Sequence, residues 1–183
     1  MISYITKSEL LGFSAQIPLN EQVALRSTAS SRSHFGATFL SHSSKDNDLI
    51  VGAIRILESH GATVYIDEID PAMPPYTTAA TAKLLKERIS QSRNFVLLAS
   101  KNSQQSTWVP WELGIADGDK GEGRIALFPA VDSQQDRAWA SWEYLGLYNR
   151  IVWGNLEGYS KPLWMVLDER KNTAVELRAW LHS

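Results

Sequence analysis

The sequence predicts an α/β protein with a flavodoxin-like, three-layer fold around a five-stranded parallel sheet. Two observations support this prediction. Short apolar, β-prone runs alternate four times with amphipathic helical segments, and the connections between them are short. Such alternation implies right-handed crossovers, and the order 2-1-3-4-5 is the simplest arrangement for five strands numbered along the chain.

Length and composition set the class of protein. The chain has 183 residues, of which 44% are hydrophobic and 21% charged, as expected for an ordinary globular domain. Its net charge of -2 offers no basic excess for tracking phosphates, so we expect no nucleic-acid partner. Cysteine is absent, which excludes disulfides, thiolate metal sites and cysteine nucleophiles. Without a signal peptide or a membrane-spanning run, a cytoplasmic protein is expected, with no membrane partner.

The chain divides in character near residue 33. Residues 1–33 are predicted to form a partly helical N-terminal extension, in which the polar residues 27–33 act as a linker. Residues 34–183 are predicted to form the main domain, including C-terminal helices. The sequence leaves open whether the extension lies against the domain or mediates assembly.

Apolar runs and helical spacing define the elements of the main domain. The predicted strands are residues 36–41, 62–67, 94–99, 124–131 and 150–153. The predicted helices are residues 49–57, 78–91, 108–117, 134–148, 160–170 and 173–182. Asp46 is predicted to cap the first of these helices, and Gly61 to end it in the left-handed conformation. Pro162 suits the first turn of the helix at 160–170.

A ligand crevice is expected where the strand order reverses, beyond the carboxyl ends of the strands. The loops 41–46 and 100–107 meet there, next to Asp67 and the helix that contains Glu112. A glutamate near a helix start often does no more than interact with the helix dipole. The neighbouring indoles of Trp108 and Trp111 favour a functional role, because they would partly desolvate the carboxylate.

Other polar features of the sequence point less strongly to chemistry. His42 stands alone, with no second ligand at metal-binding spacing, so no metal site is predicted. Lys45 and Asp46 are typical of a helix cap and a solvated face. The glycines of residues 118–123 follow a helix and precede a strand, which is the reverse of a phosphate-binding loop.

Two segments resemble the conserved boxes of bacterial TIR (Toll/interleukin-1 receptor) domains. The first is FLSHSSKD at residues 39–46, and the second is SKNS followed by STWVPWEL, at residues 100–103 and 106–113. The segment 61–67 and the proline-containing loop after it are similar to the second strand and BB loop of that family. The resemblance covers residues 35–153, and the family fold is the flavodoxin-like one.

The resemblance implies an enzyme that hydrolyses or cyclises NAD⁺. Many bacterial and plant TIR domains do so with the glutamate of the second box, which corresponds to Glu112 here. NAD⁺ is then the substrate, and no separate cofactor is expected. The expected substrate-binding residues are Ser41, His42, Ser43, Asp67, Trp108 and Trp111.

The resemblance also bears on partners and on rival functions. The chain resembles the sensor enzymes of anti-phage systems such as Thoeris, in which a product derived from ADP-ribose activates a separate effector. Self-association is expected through the loop around Pro71–Tyr76, whose three prolines present a preformed surface. The main alternative is a non-catalytic assembly module. A phosphoacceptor receiver domain is disfavoured, because the first and third strands end in Leu40-Ser41 and Ala99-Ser100 rather than acidic residues. A nucleoside-transferring enzyme with a glutamate nucleophile is also disfavoured, because it would lack the two boxes.

Overall fold

The computed structural model describes residues 2–67, 79–136 and 145–183. The strands in these ranges are β1 (Ile5–Thr6), β2 (Thr38–Ser41), β3 (Val64–Tyr65), β4 (Asn94–Ala99), β5 (Ile125–Val131), β6 (Asn149–Gly154), β7 (Leu163–Asp168) and β8 (Thr173–Glu176). The α-helices are α1 (Lys7–Ala15), α2 (Leu19–Ser31), α3 (Ile50–Ser59), α4 (Ala79–Gln91), α5 (Lys101–Gln104), α6 (Trp108–Lys120) and α7 (Leu177–His182). Short 3-10 turns lie at Ser44–Asp46, Glu122–Arg124 and Leu145–Leu147.

The mixed α/β fold with a mostly parallel central sheet is confirmed. Within the described ranges the sheet has eight strands. Their spatial order is β3-β2-β4-β5-β6-β7-β8, and β1 pairs with β5 outside this path. The predicted five-strand count and complete strand order were therefore wrong. The predicted strands correspond to β2 through β6, which pair in parallel as β3-β2-β4-β5-β6. The added strands are β1, parallel to β5, and the antiparallel pair β7 and β8.

The C-terminal region corrects two predicted helices. Residues 160–170, predicted as a helix, contain strand β7, and residues 173–182 contain strand β8 followed by the short helix α7. The run LWMVLD of β7 pairs with β6 in antiparallel register. This apolar strand covers the edge of β6, where the parallel part of the sheet ends. Pro162 precedes β7 rather than opening a helix. Asn172, with φ +49°, closes the β7–β8 hairpin in a left-handed conformation that asparagine tolerates.

The N-terminal segment is integrated with the sheet. Helix α2 continues to Ser31, so the prediction of a linker at residues 27–33 was wrong over most of its length. The helix persists through these polar residues because Ala29 is fully buried and its carbonyl accepts a hydrogen bond from the backbone N–H of Ile66 at 3.2 Å. Strand β1 and the buried Leu10 add to the same core. The division of the chain at residue 33 into extension and domain stays a prediction.

Two hydrophobic clusters form the core, one on each face of the sheet. One cluster joins Leu40, Phe128 and Ile151 to helices α1, α3 and α7, and the other joins Phe39 and Phe95 to α4 and α6. Successive strand residues point to opposite faces, which is why neighbours such as Phe39 and Leu40 belong to different clusters. Gly61 follows α3 with φ +93°, which confirms the predicted left-handed end of that helix. Within residues 2–67, 79–136 and 145–183, none of the α-helices combines the length and hydropathy that a membrane span requires.

Gly52 sets the close approach of α1 and α3. A Cβ atom at this position would collide with the backbone carbonyl of Leu10. We expect Gly52→Ala to lower the free energy of unfolding by about 1–3 kcal/mol, because the two helices would have to separate. Gly114, on the exposed side of α6, has open space around it and serves as the matched control.

Urea unfolding of both variants tests this packing. Gly114→Ala is expected to raise the free energy of unfolding by about 0.5–1 kcal/mol, because alanine is the better helix former. The same substitution therefore has opposite signs at the two sites. A Gly52→Ala protein as stable as the unsubstituted chain would show that α1 does not pack this closely on α3.

Candidate functional site

The candidate site lies at the carboxyl ends of β2 and β4, where the strand order reverses. Strand β2 ends at Ser41, and the loop after β4 leads through α5 to the start of α6 at Trp108. Thr107 is the N-terminal cap residue of α6, so Glu112 lies just beyond the first turn of that helix. The packing of α6 against the sheet turns this side chain toward the end of β2.

Glu112 is a buried carboxyl group in direct contact with Ser41. Its side chain belongs to a residue only 9% exposed, and the Ser41 hydroxyl donates a hydrogen bond to its Oε2 at 2.5 Å. Ser41 itself is 2% exposed. Two of the predicted site residues, 71 positions apart in the chain, are thus brought into contact.

Burial controls the protonation of Glu112. Removal from solvent raises the pKa of Glu112 to about 8, the hydrogen bond from Ser41 opposes this shift, and the nearby negative charge of Asp67 adds to it. Burial is the largest of these three effects. The carboxyl group is therefore largely protonated at neutral pH.

Asp67 borders Glu112 and is held by a buried cation. Arg88 donates from Nη1 to Asp67 Oδ1 at 2.6 Å, and the Tyr65 hydroxyl donates to the same oxygen at 3.1 Å. The guanidinium group also lies over the Tyr65 ring, 5.9 Å from its centroid. Arg88 is 6% exposed, so this ion pair is largely shielded from solvent. It fixes the predicted site residue Asp67 close to Glu112.

The two indoles of the predicted site pack on each other. The rings of Trp108 and Trp111 form an edge-to-face pair with centroids 5.3 Å apart, and both side chains are half-buried. The Lys86 ammonium lies 5.8 Å from the centre of the Trp111 ring. Both indoles contact the core cluster between α4, α6 and the sheet. A stacking role toward a ligand stays a prediction.

The loop after β2 presents His42 and Ser43 differently. His42 is half-exposed, whereas Ser43 is buried and its Oγ accepts a hydrogen bond from the Lys45 backbone N–H at 3.3 Å. Ser43 thus caps the 3-10 turn that follows it. Their contacts with a substrate stay a prediction. The described residues contain no group of three or more acidic, histidine or cysteine side chains arranged to hold a metal ion.

Asp46 corrects another prediction. It does not cap the following helix, because α3 begins at Ile50 after Leu49. Asp46 is fully buried and accepts hydrogen bonds from Ser100 Oγ at 2.5 Å and from Asn102 Nδ2 at 2.6 Å. It therefore ties the loop after β2 to the loop after β4, across the crevice where the strand order reverses.

Sequence reasoning missed Arg88 and the cross-loop role of Asp46. Arg88 lies on an amphipathic helix whose other charged side chains are typical of a solvated face, so no local pattern marks it as buried. The cross-loop role of Asp46 could have been predicted, because the topology places its loop opposite residues 100–107. The predicted loop Pro71–Tyr76 lies outside the described residues, as do residues 137–144 of the helix predicted over 134–148. The described ends of that range are not α-helical, because residues 134–135 form a turn and Leu145–Leu147 a 3-10 turn.

The geometry brings together a buried carboxyl group, a serine hydroxyl and a second, salt-bridged carboxylate. Such a site is suited to stabilise a cation, or a positive charge that develops during a reaction. Glu112 would become negatively charged only when a positive charge on the incoming group compensates for it. Of the other carboxyl groups at this crevice, Asp67 is paired with Arg88, and Asp46 is bonded to Ser100 and Asn102.

Comparison with known proteins places this geometry in context. Residues 38–161 match the TIR domain family. The chain is 33% identical over 146 residues to the probable 3' cyclic ADP-D-ribose synthase ThsB' of Bacillus cereus (strain MSX-D12), covering 78% of this chain and 74% of that protein. It is also 35% identical over 78 residues to the putative cyclic ADP-D-ribose synthase TIR2 of Cytobacillus dafuensis, covering 41% of this chain and 21% of that protein.

Proposed function

The chain belongs to the TIR-domain family, and from that premise we propose that it cleaves NAD⁺ between nicotinamide and ribose and forms a cyclic ADP-ribose. The buried Glu112 beside Ser41, at the carboxyl end of β2, is the observation that carries this proposal. The two relatives named as cyclic ADP-D-ribose synthases support the choice of substrate and the cyclic product.

Cleavage of NAD⁺ needs charge stabilisation more than proton transfer. The bond between the ribose anomeric carbon and the nicotinamide nitrogen breaks, and its electron pair moves onto the ring, which leaves as neutral nicotinamide. The ribose is left with oxocarbenium character, and the Glu112 carboxylate stabilises this positive charge. No general acid is required for the leaving group, which agrees with a site that uses one carboxylate directly.

Protonation couples substrate binding to the ionisation of Glu112. Burial raises the pKa of Glu112 to about 8. The positive charge of the nicotinamide ring favours the ionised form, so substrate entry lowers that pKa and releases a proton. The Ser41 hydroxyl, which already donates to Oε2, then holds the carboxylate in its orientation.

The group that attacks the ribosyl carbon determines the product. Water gives ADP-ribose, whereas a cyclic product requires that a nucleophile of the same molecule attacks after nicotinamide leaves. The relatives' names favour the cyclic outcome. We infer that the product serves as a signal in bacterial anti-phage defence and is detected by a separate effector protein in the cytoplasm. We also propose that the chain self-associates through the loop around Pro71–Tyr76, and the three prolines of this loop support the proposal.

Product analysis of a reaction with NAD⁺ tests the proposal. Concentrated protein is expected to release nicotinamide together with a product that is one water molecule lighter than ADP-ribose. Chromatography beside standards of cyclic ADP-ribose isomers then identifies the linkage. If all of the consumed NAD⁺ were recovered as ADP-ribose, the cyclase assignment would be overturned, whereas the assignment of NAD⁺ cleavage would stand. Release of no nicotinamide, even with protein concentrated enough to self-associate, would favour the non-catalytic assembly module.

A further inference from the structure

A cavity is lined by residues of the N-terminal segment, α1, β6 and β7. It has a volume of about 190 Å³ and lies between the N-terminal segment and the β6–β7 part of the sheet. We call it the aromatic slot, and its walls include Ser3, Tyr4, Glu9, Phe13, Trp153 and Trp164. Phe13 and Trp164 pack with the core cluster on the α1 side, whereas the indoles near Glu112 pack with the other cluster. Among the wall residues, Tyr4 packs with that other cluster, but no residue of the candidate active site lines the aromatic slot, so the two sites are separate.

Two indoles form one wall of the aromatic slot. Trp153 and Trp164 are directly opposite each other in the antiparallel pairing of β6 with β7, so their side chains project from the same face of the sheet. Their rings meet edge to face with centroids 5.5 Å apart. Trp164 is 9% exposed, whereas Trp153 is 40% exposed. Trp153 thus offers an aromatic surface that the fold leaves partly uncovered, and the buried Trp164 packs against it.

A carboxylate stands at the same cavity. Oε2 of Glu9 accepts hydrogen bonds from the backbone N–H and the hydroxyl of Thr6, both at 2.7 Å, in a capping box that starts α1. Within the described residues, Oε1 of Glu9 has no protein partner. The nearby Lys7 is engaged elsewhere, with its Nζ 2.8 Å from Asp132. The aromatic slot therefore carries a negative charge that no lysine or arginine among the described residues neutralises.

We propose that the aromatic slot is a binding site for a small organic cation, such as a pyridinium ring or a quaternary ammonium group. The faces of aromatic rings attract cations, most strongly for tryptophan, and the Glu9 carboxylate adds a direct charge. The cavity is smaller than the roughly 300–1,000 Å³ typical of drug-sized ligands, so it suits a single ring or ammonium head rather than a dinucleotide. This site is independent of the NAD⁺ chemistry proposed above.

Titration with N-methylpyridinium, followed by the indole N–H resonances in ¹H–¹⁵N spectra, tests this site. We expect saturable shifts of the Trp153 and Trp164 resonances, with a dissociation constant in about the millimolar range. The Trp180 resonance is an internal reference, because its indole does not line the aromatic slot and its Nε1 is already bonded to the Gly123 carbonyl. Benzyl alcohol, a neutral ring of similar size, is expected to bind about tenfold more weakly.

Two variants separate the contributions of ring and charge. Trp153→Ala is expected to weaken binding at least about fivefold, with Trp164 as the remaining reporter. Glu9→Gln removes the charge, but glutamine still completes the capping box, so binding should weaken about threefold or more without loss of folding. Phe35→Ala, at an aromatic side chain 77% exposed elsewhere, should change nothing.

Three results would overturn the proposal. One is the absence of saturable shifts at Trp153 and Trp164 up to about ten times the expected dissociation constant. Another is equal affinity for benzyl alcohol combined with no effect of Glu9→Gln, which would leave an apolar slot without cation preference. The third is a response confined to Trp108 and Trp111, which would place binding in the crevice of Glu112.

Discussion

Replacing Glu112 with glutamine is expected to lower the rate of NAD⁺ cleavage at least ~100-fold, because a preorganised negative charge at the ribose is lost. Glutamine keeps the size of the side chain, and its amide oxygen can still accept the hydrogen bond from Ser41. The measurement is nicotinamide release at saturating NAD⁺. Activity within a few-fold of the unsubstituted enzyme would show that Glu112 is not the catalytic carboxylate.

The stability of the same variant supplies its folding control and has a defined pH dependence. Burial raises the pKa of Glu112 from 4.5 to about 8 in the folded protein. A raised pKa means that the folded state holds the proton more tightly, so stability is fully present below about pH 4.5 and is lost as the pH rises through about 8. Glu112→Gln has no such group and escapes this loss.

The variant should therefore gain stability relative to the unsubstituted protein as the pH rises. We expect the difference in free energy of unfolding to grow by about 2 kcal/mol or more between about pH 5 and about pH 8.5. Urea unfolding at both pH values measures this difference. A constant difference would mean that Glu112 ionises in the folded state as it does in water, contrary to its burial in the structure.

Replacing Arg88 with methionine is expected to lower the free energy of unfolding at neutral pH by about 3 kcal/mol or more. The Asp67 and Arg88 side chains are only 12% and 8% exposed, so removal of the guanidinium leaves a shielded carboxylate without its cation. The same change should raise the pKa of Glu112 further, since the negative charge of Asp67 would no longer be offset. The pH profile of NAD⁺ cleavage would then shift upward.

Two further variants distinguish this ion pair from a general effect of losing an arginine. Adding Asp67→Asn to Arg88→Met should restore part of the lost stability, because no unpaired charge remains. Arg93→Met, at an exposed side chain just after α4, should stay within about 0.5 kcal/mol of the unsubstituted protein. If Arg88→Met were as mild as Arg93→Met, the ion pair would not be held in the arrangement described.

Much of the central fold was predictable because its signals are local. Apolar runs such as NFVLLA of β4 are buried on both faces, and no helical arrangement of so short a run between polar loops is as favourable. Gly61 marks the end of α3 because only glycine adopts its positive φ without strain. By contrast, LWMVLD of β7 is apolar enough for either a helix or a strand, and only the neighbouring β6 decides between them.

In the candidate site, too, some features were predictable from the sequence and others were not. The sequence alone was sufficient to predict that Ser41, Asp67 and Glu112 would meet at one edge of the sheet, because strand alternation and loop positions determine which loops converge. Only the tertiary structure decided that Glu112 is buried against Ser41 with a pKa near 8, that Arg88 holds Asp67, and that Asp46 links two loops. The partners in these contacts stand 71, 21 and 54 positions apart in the chain. The periodicity of apolar residues indicates only the local secondary structure. Burial and charge pairing depend on which distant segments of the chain pack against a residue.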